Sequence, residues 1–205
     1  MDACCQNKSK ELGALRKSQG GVLKVVLAIN AVMFIVEIVA GLRASSLALT
    51  GDALDMLGDA IAYASSLWAL DLGMKQKAQA TRLKGLIMGA TALAVLARGL
   101  QQVLGGATPI MSVMGGVGGL ALVMNALCLA MLTRHRRDDL NMRSVWLCSR
   151  NDIIANCAVL IAAAAVAMTR SRWPDVVVGL GITLLFAQSA LAVLKEARAT
   201  LVASA

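Results

Sequence analysis

Leu47-Ala-Leu-Thr-Gly-Asp52-Ala-Leu-Asp55-Met-Leu-Gly-Asp59-Ala-Ile-Ala-Tyr63-Ala64 decides how this chain is read, because three carboxylates stand inside an apolar run long enough to cross a bilayer. A second apolar run, 145–168, carries Cys148 and Asp152 at the same four-residue separation as Asp55 and Asp59. On a helix that separation puts both members of each pair on one face, one turn apart. Each Asp at mid-membrane depth costs ~2.5–3.5 kcal/mol, so the four together cost on the order of 10 kcal/mol unless something compensates them. A bound cation would do so.

The rest of the chain is consistent with that setting. Of its 205 residues 58% are hydrophobic and only 16% charged, which excludes an ordinary soluble domain. The formal charge of +8 raises nucleic acid as a partner, but the basic residues cluster at the ends of apolar runs and not along one polar face. Membrane topology accounts for them instead. Residues 1–20 form a polar tail without the apolar core and cleavage site of a secretory signal, and are expected to stay on the protein. Five cysteines, an odd number, give no disulfide framework. Cys4 and Cys5 adjoin in the tail and read as a plain thiol pair, a soft-metal scavenger or an acylation site.

Six apolar runs approach the ~20 residues needed to span a bilayer: 22–42, 46–70, 83–104, 110–132, 145–168 and 176–194. The expected fold is an all-α integral membrane protein with six transmembrane helices, in which the tail precedes a transport domain over 21–205. Lys and Arg divide between the two sides. One side holds Lys8, Lys10, Arg16, Lys17 and Lys24, then Lys75, Lys77, Arg82 and Lys84, then Arg134, Arg136, Arg137 and Arg143, and finally Lys195 and Arg198; the other holds only Arg43, Arg170 and Arg172. The positive-inside rule then puts both termini in the cytoplasm, and the membrane is taken as a plasma membrane of the bacterial inner type. Residues 105–109 read as a tight external turn. Arg98 is expected to snorkel outward and Arg150 inward, facing away from the paired ligands. Asn30-Ala-Val and Asn125-Ala-Leu hint at two inverted halves. Resting on two asparagines, the parallel is read as chance similarity.

At ~1.5 Å per residue Asp55 and Asp59 lie roughly 14–20 Å below the outer end of their helix, and Cys148 and Asp152 roughly 5–11 Å above the inner end of theirs. The two pairs can meet below the midplane as a four-ligand site. Carboxylate oxygens with one thiolate suit Zn²⁺ or the softer Cd²⁺ better than Mg²⁺ or Ca²⁺. Without metal, neighbouring acids hold protons that metal must expel, a direct route to metal/proton exchange. Asp52 reads as the N-terminal cap or dipole partner of its helix, with ligation as the second reading. Asn30, Asn125 and Asn156 are candidates to orient the ligands, and Asn156 could equally serve as an interhelical hydrogen bond. Cys128 and Cys157 read as inert small hydrophobes. Glu37 would pair with a basic residue or relay protons, and His135 is expected to be a solvated loop residue.

Asn30-Ala-Val-Met-Phe34-Ile-Val-Glu37-Ile-Val-Ala-Gly41, followed by Ser45-Ser46 and the acidic run above, resembles the first two helices of the cation diffusion facilitator family. Asp139-Leu-Asn141-Met-Arg143-Ser144-Val-Trp-Leu-Cys148-Ser-Arg-Asn-Asp152 is similar to that family's entry into its fifth helix, and Trp173-Pro-Asp175 to the start of its sixth. The resemblance covers about residues 22–196. It implies a six-helix, usually dimeric secondary transporter that exports divalent metal against protons by alternating access, with Asp55, Asp59, Cys148 and Asp152 as its transport site. The common zinc pattern has His at the positions of Asp55, Cys148 or both, so Fe²⁺, Co²⁺ and Hg²⁺ stand beside Zn²⁺ and Cd²⁺. The chain stops at Ala205, without room for the family's cytoplasmic metal-sensing domain, and the loop 73–81 lacks His, Cys and acids. Dimerisation is then expected to use the membrane part, and Gly115 and Gly119 have the spacing that permits close helix approach.

Two readings compete. An intramembrane aspartyl protease could use Asp59 and Asp152, but no Gly-x-Gly-Asp signature surrounds either acid and Cys148 would be superfluous. A proton-coupled exporter of organic cations needs an aromatic pocket, for which three Trp, two Phe and one Tyr are few. The expectation is a transporter, not an enzyme, with a transported ion, protons and membrane lipid as its partners and no cofactor or nucleic acid.

Overall fold

The computed structural model describes the backbone of residues 3–68, 74–135 and 140–203. These residues form six helices: α1 (Ala3–Arg43), α2 (Leu47–Trp68), α3 (Met74–Gly105), α4 (Met111–Thr133), α5 (Leu140–Thr169) and α6 (Trp173–Ala203). Five of them contain stretches long and apolar enough to cross a membrane. The exception is α2, whose 22 residues reach ~33 Å but include Asp52, Asp55 and Asp59. Its failure as an apolar span and its chemistry therefore have one cause.

Burial is inverted relative to a soluble bundle. Val32, Ile35, Leu93, Val123, Ile161 and Leu185 point outward, while Asn30, Glu37, Asp52, Asp59, Asn125, Asn156 and Thr183 are buried. Lipid solvates the first set, and in hydrocarbon only the protein interior can accept the second. The fold is thus an all-α membrane protein.

The helices pack mainly as α1 on α2, α3 on α6 and α4 on α5, while α2 also touches α3, α5 and α6. This central place for α2 rests on small residues. A Cβ at Gly179 would lie 2.4 Å from the Leu47 carbonyl carbon, so the α2 and α6 backbones meet where only glycine fits.

One end of the bundle is closed by polar contacts among three short turns. The first follows α1, with Ser45 at φ 53° and the Ser46 amide donating to the Gly41 carbonyl at 2.9 Å, a Schellman-type ending. Arg98 Nη2 donates to the carbonyls of Gly41 and Leu42 at 3.3 and 3.4 Å, where a cation complements the α1 dipole. Gln102 Nε2 donates to Ser45 O at 2.6 Å, and Arg172 Nη1 to Gly106 O at 2.6 Å. Ile110 N donates to Ala44 O at 3.0 Å, so the 106–110 turn rests directly on the first one.

The helix of the first span extends back to Ala3, while its apolar stretch, Gly20–Arg43, agrees with the expected 22–42. Two sequence expectations change: α3 begins at Met74, so most of the expected 73–81 loop is helical. Its Lys, Gln, Ala and Arg residues are good helix formers with no Pro or interior Gly to stop them. His135 is not solvated but only 7% exposed, because its amide continues the end of α4 by donating to Leu132 O at 2.9 Å.

Candidate metal centre

The helix that carries the carboxylates starts at an unusual cap. Asp175, in the first turn of α6, accepts from Ser46 Oγ at 2.6 Å, the Leu47 amide at 2.7 Å and the Ala48 amide at 3.0 Å. The otherwise unmatched amides of the first α2 turn are thus satisfied from a neighbouring helix. Asp52 is therefore not the cap of α2: it sits in the second turn, 1% exposed, and accepts from Asn156 Nδ2 at 2.7 Å. Asn156 Oδ1 in turn accepts from Asn125 Nδ2 at 2.8 Å. A continuous polar chain links α2, α5 and α4.

Two turns further along α2, Asp59 accepts a short hydrogen bond from Tyr63 Oη on the same helix face. Asp152 of α5 stands in the electrostatic field of Asp59 and Asp55. Asp55 lies within electrostatic range of Asp52, Asp59 and Asp152. The structure thus brings Asp55, Asp59 and Asp152 into one neighbourhood, with Asp59 buried and the other two half-buried. Among the described residues no three His, Cys, Asp or Glu side chains form a ready-made metal cage. The backbone of Cys148 belongs to α5, one turn before Asp152, but its side chain lies outside the described ones, as do those of Cys4 and Cys5.

The surroundings add residues whose role in the sequence reads as open or inert. Cys128 packs with Tyr63, Val26 and Leu132, stands in the field of Asp152 and Asp59, and has Asn30 Nδ2 at 4.0 Å. Asn30 also donates to Val26 O at 2.9 Å. Glu37 of α1 is completely buried, with Asp52 and Asp55 as charged neighbours and no hydrogen-bond partner on either oxygen. Cys157, by contrast, is exposed, and Arg150 is exposed over the Trp146 ring at 5.7 Å. Gly118 packs on Val159 and Leu160, whereas Gly115 and Gly119 meet nothing within 4 Å and leave their side of α4 uncovered.

A lipid-facing bundle of six helices with acids converging in its middle defines a membrane carrier for cations. The family model described as the cation efflux transmembrane domain matches residues 23–202. The chain belongs to this cation efflux, or cation diffusion facilitator, family, whose members are transporters and not enzymes. It is similar to the metal cation efflux system protein CzcD of Cupriavidus metallidurans, 27% identical over 194 residues that cover 85% of this chain and 61% of the relative. The cation efflux system protein CzcD of Alcaligenes sp. strain CT14 matches to the same extent. The chain thus spans about 61% of the length of these curated relatives. Membership removes the protease reading of Asp59 and Asp152.

Proposed function

We propose that this protein exports a divalent transition metal, Zn²⁺ or Cd²⁺ first among them, from the cytoplasm in exchange for protons. Asp55, Asp59, Cys148 and Asp152 are the ligands. The observation that carries the reading is the convergence of Asp55 and Asp59 of α2 with Asp152 of α5 in a bundle whose outside is apolar. A divalent ion arriving from the cytoplasm displaces the protons held by these acids and by the Cys148 thiol, and the freed carboxylates and thiolate close on the ion. Reprotonation from the far side weakens all the oxygen ligands at once and releases the ion. Lys and Arg at the terminal end support a cytoplasmic location for both termini in a plasma membrane, with the three-turn end outside.

The thiolate biases selection toward softer ions, so Fe²⁺, Co²⁺ and Hg²⁺ remain in the substrate range to be tested. Flux measured in sealed vesicles holding the purified protein, with an imposed pH gradient and each metal in turn, tests the proposal. Asp152→Ala abolishes flux of every metal, and Cys148→Ser shifts preference from Cd²⁺ toward Zn²⁺. Folded protein without gradient-driven flux of any metal would overturn it. A second copy seated on the Gly115/Gly119 side of α4 completes a homodimer, and Ile at both positions converts dimer to monomer by mass measurement in micelles; an unchanged dimer removes that assignment.

A further inference from the structure

One polar contact in the interior ends on a proposed metal ligand and comes from a residue the export reading does not use. Tyr63 Oη donates a short hydrogen bond to Asp59 Oδ2 from one turn further along α2. A helical side chain leans back over the turn before its own Cα, so a tyrosine four residues after an aspartate is placed to reach its carboxyl. The Tyr63 ring is 1% exposed and belongs to the cluster of Leu23 and Val26 of α1 with Cys128 and Leu132 of α4, against which Trp146 of α5 packs. A buried phenol must have its hydroxyl matched, and among these apolar neighbours Asp59 supplies that match.

The contact sets which way Asp59 faces. With its ring held between α1 and α4, Tyr63 is the fixed end of the bond and the short Asp59 side chain is the end that must conform. A carboxylate that chelates an ion through both oxygens turns its open edge squarely to the ion, whereas one whose Oδ2 is tied to a hydroxyl meets the ion through Oδ1. Zn²⁺, and Co²⁺ in its place, is satisfied by four ligand atoms, one from each of Asp55, Asp59, Cys148 and Asp152. Larger ions such as Mn²⁺ and Cd²⁺ fill wider shells, for which a second oxygen from the same carboxylate is the nearest source. The thiolate sorts ions by softness, and a tied Asp59 sorts them by size.

We propose that Tyr63 is a positioning residue of the transport site, holding Asp59 to one metal-facing oxygen and so favouring Zn²⁺ and Co²⁺ over the larger Mn²⁺ and Cd²⁺. The inference rests on the metal-export reading and adds to its ligand set a second criterion of selection.

The full chain in lipid nanodiscs, as wild type and as Tyr63→Phe, tests it by Co²⁺ absorption and by equilibrium dialysis of Mn²⁺ and Cd²⁺ against Zn²⁺. Phe keeps the ring in its cluster and removes only the hydroxyl. Wild type gives the intense visible bands of four-coordinate Co²⁺. Tyr63→Phe gives the weaker bands of a higher-coordinate ion, and binds Mn²⁺ and Cd²⁺ about tenfold better relative to Zn²⁺ than wild type does. A Tyr63→Phe protein with the wild-type spectrum and ratios, or one that weakens every ion equally, overturns the role of Tyr63 alone. Weak, higher-coordinate bands in wild type overturn it without recourse to a variant. Wild type that binds none of these ions overturns the export reading and this inference with it.

Discussion

Asp175 and Glu37 are two carboxyls with no exposed surface, one at the start of α6 and one within α1, and their surroundings are opposite. Asp175 meets three donors, a hydroxyl and two amides of the first α2 turn. Glu37 meets none. The difference separates an acid whose burial is offset by hydrogen bonds from one whose burial is not, since burial alone does not tell the two apart.

The sharpest way to break the comparison is to delete the satisfied acid. Asp175→Ala leaves two amides and a hydroxyl unmatched at a helix start and costs about 3 kcal/mol, read as a lowered melting temperature of the full chain in micelles. If Asp175→Ala melts like wild type, the cap is not structural. Next, Asn156→Leu strips Asp52 of its amide donor and turns it into a second Glu37. We expect a loss of about 2 kcal/mol in the same melt, and a double variant with Asp52→Leu that recovers part of it. The smallest effect, and the one of opposite sign, belongs to Glu37. Glu37→Gln removes a buried ionisable group without changing shape and raises stability by about 1 kcal/mol. A destabilised Glu37→Gln would mean that Glu37 has a structural partner after all.

The two regions also differ in how far they were legible in the sequence. Asp55, Asp59 and Asp152 stand out as acids inside apolar runs, and the four-residue spacings of Asp55/Asp59 and Cys148/Asp152 put each pair on one helix face. The spans were legible for the same reason, save at the start of α3, where 73–81 carries helix-forming residues but no apolar pattern. The cap of α2 was not legible. Asp175 acts on Ser46 across 129 residues of sequence, and a hydrogen bond between helices leaves no periodicity to read. The same gap moved Asp52 from cap to partner of Asn156, hid the approach of Cys128 to Asp59 and Asp152, and left Glu37 with two roles to choose from. Burial of His135 depended on where α4 ends, which apolar patterning fixes only to within a turn.

The contact between α2 and α6 has a mechanical consequence. With Asp175 bonded to the first turn of α2 and Gly179 letting the backbones touch, these two helices share one stiff joint at the three-turn end. Asp55 and Asp59 ride on that joined pair, whereas Asp152 rides on α5. The carboxylates therefore lie on both sides of a seam, and any rearrangement that slides α5 along the α2–α6 pair parts them without bending a helix. An ion held there would act as a rivet across the seam, fastening it while bound and freeing it on departure.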